Sequence, residues 1–348
     1  MSTSFWKSGH TPTLFSAFLY FDISFMVWYL LGPLAVQIAT NLELDAQQRG
    51  IMVATPILSG ALLRLLLGFL ADRLSPKLAG VIGQLIVILS LSIAWLLGID
   101  SYEQTLLLGL GLGFAGASFA VALPLASQWY PPEHQGTALG IAGAGNSGTV
   151  LAALFAPGLA YLFGWQNVFG LALIPLSITL LVFLLLARNA PDRPPPAALA
   201  DYARALRNTD SAWFMFFYSI TFGGFIGLAS ALPGYFSDEY DLDPVRAGYY
   251  TAACVMVGSL MRPVGGMLAD RVGGILALLM MYAIASGCIA IVGLNLSDAW
   301  AALSLFVIAM LGLGMGNGAV FQLVPQRFSR EMGVMTGLIG MAGGVGGF

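Results

Sequence analysis

Apolar runs of about twenty residues or more, the length that crosses a ~30 Å hydrocarbon core, follow one another along almost the whole chain. They fall near 14–39, 48–72, 78–98, 104–129, 135–161, 165–188, 211–236, 246–270, 274–296 and 299–327, and an eleventh begins after Glu331. Backbone N–H and C=O groups in lipid must be satisfied within the segment, and these runs are too long for barrel strands, so they read as helices. Only 9% of the residues are charged, where soluble domains carry about 25%. The expected fold class is therefore an all-α integral membrane protein. The first run is long enough to remain as a span rather than be cleaved as a signal.

The sizeable polar break is 189–210, with Asn189, Pro191, Arg193, Pro194, Pro195, Pro196, Arg204 and Arg207. It divides 1–188, holding six runs, from 211–348. With the N-terminus inside, Lys7, Arg73, Lys77, Arg188, Arg193, Arg204, Arg207, Arg271, Arg327 and Arg330 are cytoplasmic, against Arg49 and Arg246 outside. That asymmetry predicts a multi-pass protein of the cytoplasmic (inner) membrane with a cytoplasmic N-terminus. The two remaining basic residues are Arg64 and Arg262, and both lie inside runs.

Those two arginines belong to a repeat. Gly60-Ala-Leu-Leu-Arg64-Leu-Leu-Leu-Gly68-Phe-Leu-Ala-Asp72-Arg73 returns as Gly258-Ser-Leu-Met-Arg262-Pro-Val-Gly-Gly266-Met-Leu-Ala-Asp270-Arg271, each matched position displaced by 198. Four-residue steps put Gly, Arg and Gly on one helical stripe. Arg64 precedes Arg73, at the edge of its run, by nine residues, ~13 Å at 1.5 Å per residue, which is mid-bilayer depth. An arginine there costs at least ~2.5–3.5 kcal/mol on insertion scales and needs a cavity or a partner. Two arginines related by the repeat would face one cavity and repel each other. A small oxyanion between them relieves that repulsion, and a guanidinium fork suits a planar one. The competing reading pairs each arginine with a structural acid. Asp22 is the acid that falls well inside a run, and it has two open roles: partner of an arginine, or a group that exchanges a proton. The Asp72-Arg73 and Asp270-Arg271 tails are read as a cytoplasmic gate.

Glycines concentrate in Gly140-Ile-Ala-Gly143-Ala-Gly145-Asn146-Ser-Gly148 and in Gly340-Met-Ala-Gly343-Gly344-Val-Gly346-Gly347. Close helix packing explains most of them, whereas the amide of Asn146 is a candidate anion donor. With the paired arginines, these two signatures resemble the nitrate/nitrite porter family (NarK/NasA type) of the major facilitator superfamily, over the whole chain. The resemblance implies a major facilitator fold of two pseudo-symmetric six-helix halves. On that symmetry Arg188 maps to roughly residue 386, so the chain is expected to be truncated within helix 11. It also implies that Arg64 and Arg262 bind nitrate, that Asn146 faces it, that Phe119 and Phe222 sandwich it, and that Tyr218 supplies a hydroxyl.

The expected function is secondary active transport of nitrate, or nitrite, as proton-coupled uptake for assimilation, with nitrate/nitrite antiport as the alternative. A carrier of organic anions or a membrane nitrate sensor fits less of the sequence. The expected partners are the anion, protons and the lipid bilayer; no nucleic acid or cofactor is expected, and the chain is expected to act as a monomer. No nucleophile–base pair, metal-ligand spacing or cofactor loop indicates an enzyme.

Overall fold

Hydrogen bonds close within each apolar run, so the computed structural model is helical, with no strand among the described residues. These are 5–191, 199–328 and 332–348; Arg193, Pro194, Pro195, Pro196, Arg330 and Glu331, used above, lie outside them. The first half of the chain forms α1 (Thr11–Trp28), α2 (Ala35–Asn41), α3 (Ala46–Arg73), α4 (Pro76–Leu97), α5 (Tyr102–Gly116), α6 (Phe119–Ser127), α7 (Pro132–Gly143), α8 (Gly148–Phe163) and α9 (Trp165–Leu186). A short helix, α10 (Leu199–Leu206), stands within the polar break. Then come α11 (Thr209–Tyr218), α12 (Gly224–Tyr240), α13 (Pro244–Val272), α14 (Gly274–Val292), α15 (Ala299–Arg327) and α16 (Met332–Gly347).

Reversals are set by local chemistry. Asp45 and Gln48 close a capping box on α3, Ser75 caps α4 ahead of Pro76, and Asp243 caps α13 ahead of Pro244. Gly98, Gly164 and Gly273 take positive φ between helices.

Nine helical stretches among the described residues are long and apolar enough to cross a membrane. The run expected over 14–39 is not among them, because the chain turns between α1 and α2. Most of α1 is buried, including Ser16, Tyr20, Asp22 and Ser24, so its polar groups face other helices rather than lipid. Three other runs are continuous in path but irregular in winding. α5 passes to α6 through a break at Ala117–Ser118, α7 to α8 through a 3-10 turn at Ala144–Ser147, and α11 to α12 through a π turn at Ser219–Gly223.

The two main seams joining 1–188 to 211–348 are α8 on α13 and α16 on α3, with α12 also packing on α2 and α3. Both need small residues. A Cβ on Gly248 would come within 2.6 Å of the Ala153 carbonyl, and one on Gly344 within 2.6 Å of the Ala61 Cβ. At the end carrying Asp45, the Arg49 fork grips Asp238, with Nη1 donating to Oδ1 at 3.0 Å, and the Tyr29 hydroxyl donates to the Ala229 carbonyl. At the other end Arg327 pairs with Asp210.

The closest approach of this kind is α8 on α1, where a Cβ on Gly148 would lie 1.7 Å from the Asp22 carbonyl oxygen, while Gly140 has nothing within 4 Å. Gly148→Ala should therefore destabilise the protein by about 1–3 kcal/mol or more, because backbone rather than a flexible side chain has to shift. Thermal unfolding in detergent checks this, with Gly140→Ala expected to leave the midpoint unchanged.

Candidate functional site

Arg64 is buried in the middle of α3, only 2% exposed. Its Nε donates to the Gly116 carbonyl at 3.2 Å and its Nη1 to the Gly340 carbonyl. The break after α5 makes the first acceptor available. Ala120 N–H bonds to the Ala117 carbonyl, one residue short of the regular α pattern, so the Gly116 oxygen is left for the arginine. Three rings complete the pocket: the guanidinium carbon lies 5.9 Å from the Trp28 ring centroid, 5.4 Å from Phe119 and 5.2 Å from Phe222. Arg64 Nη2 is buried without a hydrogen-bond partner. No carboxylate forms an ion pair with Arg64 or Arg262 among the described residues.

Arg262, half-buried on α13, donates from Nη2 to the Tyr218 hydroxyl at 3.2 Å and lies 5.4 Å from the Phe321 centroid. Tyr218 and Phe222 stack at 5.2 Å with 6° between their planes. Four residues apart, Tyr218 immediately precedes the π turn that re-aims this stretch and Phe222 lies within it. A path of contacts therefore runs from Arg262 through Tyr218 and Phe222 to Arg64. Gly343 makes room for it, since a Cβ there would meet the Tyr218 ring at 2.5 Å.

The structure thus gathers five of the six expected binding residues into one cluster: Arg64, Arg262, Phe119, Phe222 and Tyr218. Asn146 stands beside it, on the 3-10 turn before α8, where that turn packs on α13. Its amide donates to the Ser259 hydroxyl at 3.4 Å, three residues before Arg262, and its Oδ1 is buried without a partner. Asp22 contacts neither arginine. It accepts from the Ser147 hydroxyl at 2.7 Å, next to Asn146 in the chain. Phe321, Trp28 and the two backbone carbonyls were not expected. The carbonyls have no signature in a sequence, and Trp28 carries none beyond an ordinary aromatic in a run.

The paired tails have unlike partners. The Arg73 guanidinium lies over the Phe69 ring at 5.0 Å, while Asp270 accepts from Gln322 at 2.9 Å and Arg271 is exposed at the end of α13. Asp72 lies near Tyr202 of α10, whose phenol is pushed above its ordinary value by burial and by that carboxylate.

Residues 17–348 match the family described as Major Facilitator Superfamily. The chain belongs to that superfamily. Among curated relatives it is 34% identical over 335 residues to the probable nitrate/nitrite transporter NarK2 of Mycobacterium tuberculosis, covering 94% of this chain and 84% of that protein. It is 32% identical over 333 residues to the nitrite extrusion protein of Bacillus subtilis (93% and 81%), and 31% identical over 364 residues to the probable nitrate/nitrite antiporter NarK1 of Thermus thermophilus (95% and 81%). Within the superfamily it is a member of the nitrate/nitrite porters, which are multi-pass membrane transporters and not enzymes. In fold it is similar to a bacterial homologue of the human lysosomal transporter Spinster in an inward-facing, occupied conformation. The TM-score is 0.74 at 19% identity, covering 98% of this chain and 81% of that one.

Burying a cation without an acid is costly, but Arg64 also satisfies the Gly116 and Gly340 carbonyls, each costing about 1–3 kcal/mol if left unpartnered. The two effects oppose, so Arg64→Met should shift the melting temperature in detergent by no more than a few degrees. A clear drop would make Arg64 a structural group rather than a ligand-binding one.

Proposed function

We propose that this porter carries nitrate, and nitrite with it, across the cytoplasmic membrane by alternating access, as proton-coupled uptake for assimilation. The observation that carries the reading is Arg64: a buried guanidinium whose Nη2 has no hydrogen-bond partner, with no acid paired to it among the described residues and the flat rings of Phe119 and Phe222 about it. A fork of N–H donors between aromatic faces suits a planar trigonal anion and disfavours tetrahedral phosphate or sulfate. Arg262 supplies the second charge, with Tyr218 as hydroxyl donor and Asn146 as amide donor. The relatives' names, nitrate/nitrite transporter and nitrite extrusion protein, point to the same ions.

The moving bodies are 1–188 and 211–348, joined by 189–210, in a monomer with a cytoplasmic N-terminus embedded in the bilayer. Asp72, Arg73, Asp270 and Arg271 belong to the cytoplasmic gate. Asp22 is the proton-coupling group, since its partner is a neutral hydroxyl rather than an arginine. The second reading, nitrate/nitrite exchange without protons, is favoured by the name of the Thermus relative.

Uptake into proteoliposomes, with and without a pH gradient and with nitrite loaded inside, separates the two. Arg64→Lys and Arg262→Lys should each reduce nitrate transport tenfold or more, because a lost charge-assisted hydrogen bond is worth about 1.5–3 kcal/mol. Near-normal uptake in either would remove that arginine from the site. Asp22→Asn should abolish accumulation driven by an acid exterior and spare nitrate counterflow. If accumulation persists, Asp22 plays no part in coupling, and nitrite-driven uptake at equal pH would establish exchange.

A further inference from the structure

Arg64 and Arg262 are displaced by 198 residues, yet Arg64 has three ring faces and two carbonyls while Arg262 has Tyr218 and Phe321. A glycine match displaced by 201 residues, three more than the arginine repeat, bears on Phe321. Gly-Leu-Gly occurs at Gly111–Gly113 and again at Gly312–Gly314. Each third residue is jammed against the repeat-related glycine of the neighbouring helix. A Cβ on Gly113 would lie 2.8 Å from Gly60 N, and a Cβ on Gly314 would lie 2.0 Å from the Gly258 oxygen. Thus α5 crosses α3 at the same rung at which α15 crosses α13.

Counted from that rung, Phe119 comes six residues later and Phe321 seven. Winding accounts for the difference. Ser118, Ala120 and Val121 donate to carbonyls three residues back, at 3.2, 3.0 and 3.0 Å, which is 3-10 geometry. These bonds tighten the winding about Phe119 after the α-helical turn closed by Ala117 N–H on the Gly113 carbonyl, so six residues there and seven in the unbroken α15 each make close to two turns. Each ring lies 5.4 Å from the guanidinium carbon of its own arginine. Phe321 also meets the Tyr218 ring edge-on at 5.1 Å and 85°, so it contacts both the arginine and the hydroxyl-bearing ring to which that arginine donates. Its ring lies 6.3 Å from Phe119.

We propose that Phe321 is the positioning residue of Arg262, the counterpart in 211–348 of Phe119, holding the guanidinium and Tyr218 in register for a planar oxyanion. The proposal rests on the nitrate-carrier reading.

The test is nitrate uptake and binding by the purified protein, with Phe321→Leu, Phe321→Trp and Phe321→Leu in an Arg262→Lys background. Phe321→Leu should raise the apparent KM for nitrate about threefold to thirtyfold, the range of a cation–π contact, and change kcat far less. Phe321→Trp, which keeps a ring face, should restore KM. In the Arg262→Lys background the Leu substitution should add little, since coupled residues are non-additive. Equal losses with Leu and Trp, full additivity with Arg262→Lys, or a KM unchanged by Leu would each overturn the proposal while leaving the carrier reading intact. A parent protein that neither binds nor moves nitrate would overturn the carrier reading and this inference with it.

Discussion

A guanidinium buried within a membrane-spanning helix, with no carboxylate paired to it among the described residues, is the constraint around which this fold is arranged. Burial removes the water that would solvate Arg64, and no acid replaces it among the described residues. What replaces it is weaker and more numerous: two backbone carbonyls and three aromatic faces. Carbonyl dipoles and ring quadrupoles hold a cation without neutralising it. A carboxylate in their place would hold the side chain more firmly and compete with any anion for the same donors.

Carbonyls inside a bilayer are normally consumed by the helix that bears them, so offering one to a side chain needs irregular backbone buried within protein. The three irregular windings all stand by the site residues. The break at Ala117–Ser118 frees Gly116 and lifts Phe119 into place. The 3-10 turn at Ala144–Ser147 carries Asn146 and the hydroxyl that holds Asp22, and the π turn at Ser219–Gly223 carries Phe222. Close glycine contacts, such as Gly343 beneath Tyr218 and Gly148 against the Asp22 carbonyl, let neighbouring helices fit round these irregularities.

Much of this was legible in the sequence because it follows from periodicity and solvent. Run length gave the helices, and the 198-residue repeat tied Arg64 to Arg262 before any contact was known. Phe119, Phe222 and Tyr218 were reached only through family resemblance, since nothing in their own spacing separates them from the other rings of the chain. Phe321 was within reach, because its distance from Gly314 mirrors that of Phe119 from Gly113, but only with the tighter winding of one copy allowed for. The division of 14–39 was not legible. Its residues are apolar enough to read as one span, and the turn after Trp28 is fixed by tertiary packing: Trp28 donates to the Pro56 carbonyl and the Tyr29 hydroxyl to that of Ala229. Asp22 stayed ambiguous for the same reason, its hydroxyl partner being 125 residues away in the chain.

The two arginines are equivalent by repeat and unequal by contact, and the inequality follows the seams. Arg262 is held by Tyr218 and Phe321, both within 211–348, so relative movement of the two parts of the chain leaves its partners in place. Arg64 is held across the α3–α16 seam: Gly116 is on its own side, but the Gly340 carbonyl and the Phe222 ring belong to the other. Separating 211–348 from α3 removes that carbonyl and ring together and leaves Nη1 without its acceptor beside the already unpartnered Nη2. The number of Arg64 donors without a protein acceptor therefore grows as the seam opens, while the contacts of Arg262 stay in place. On the proposed nitrate reading, an anion accepting from Nη1 and Nη2 would replace what the Gly340 carbonyl supplied, so one donor set would exchange between a protein acceptor and a substrate acceptor. Such an exchange would tie occupancy of the site to the relation between the two parts of the chain, using hydrogen bonds whose protein partners are already fixed by the fold.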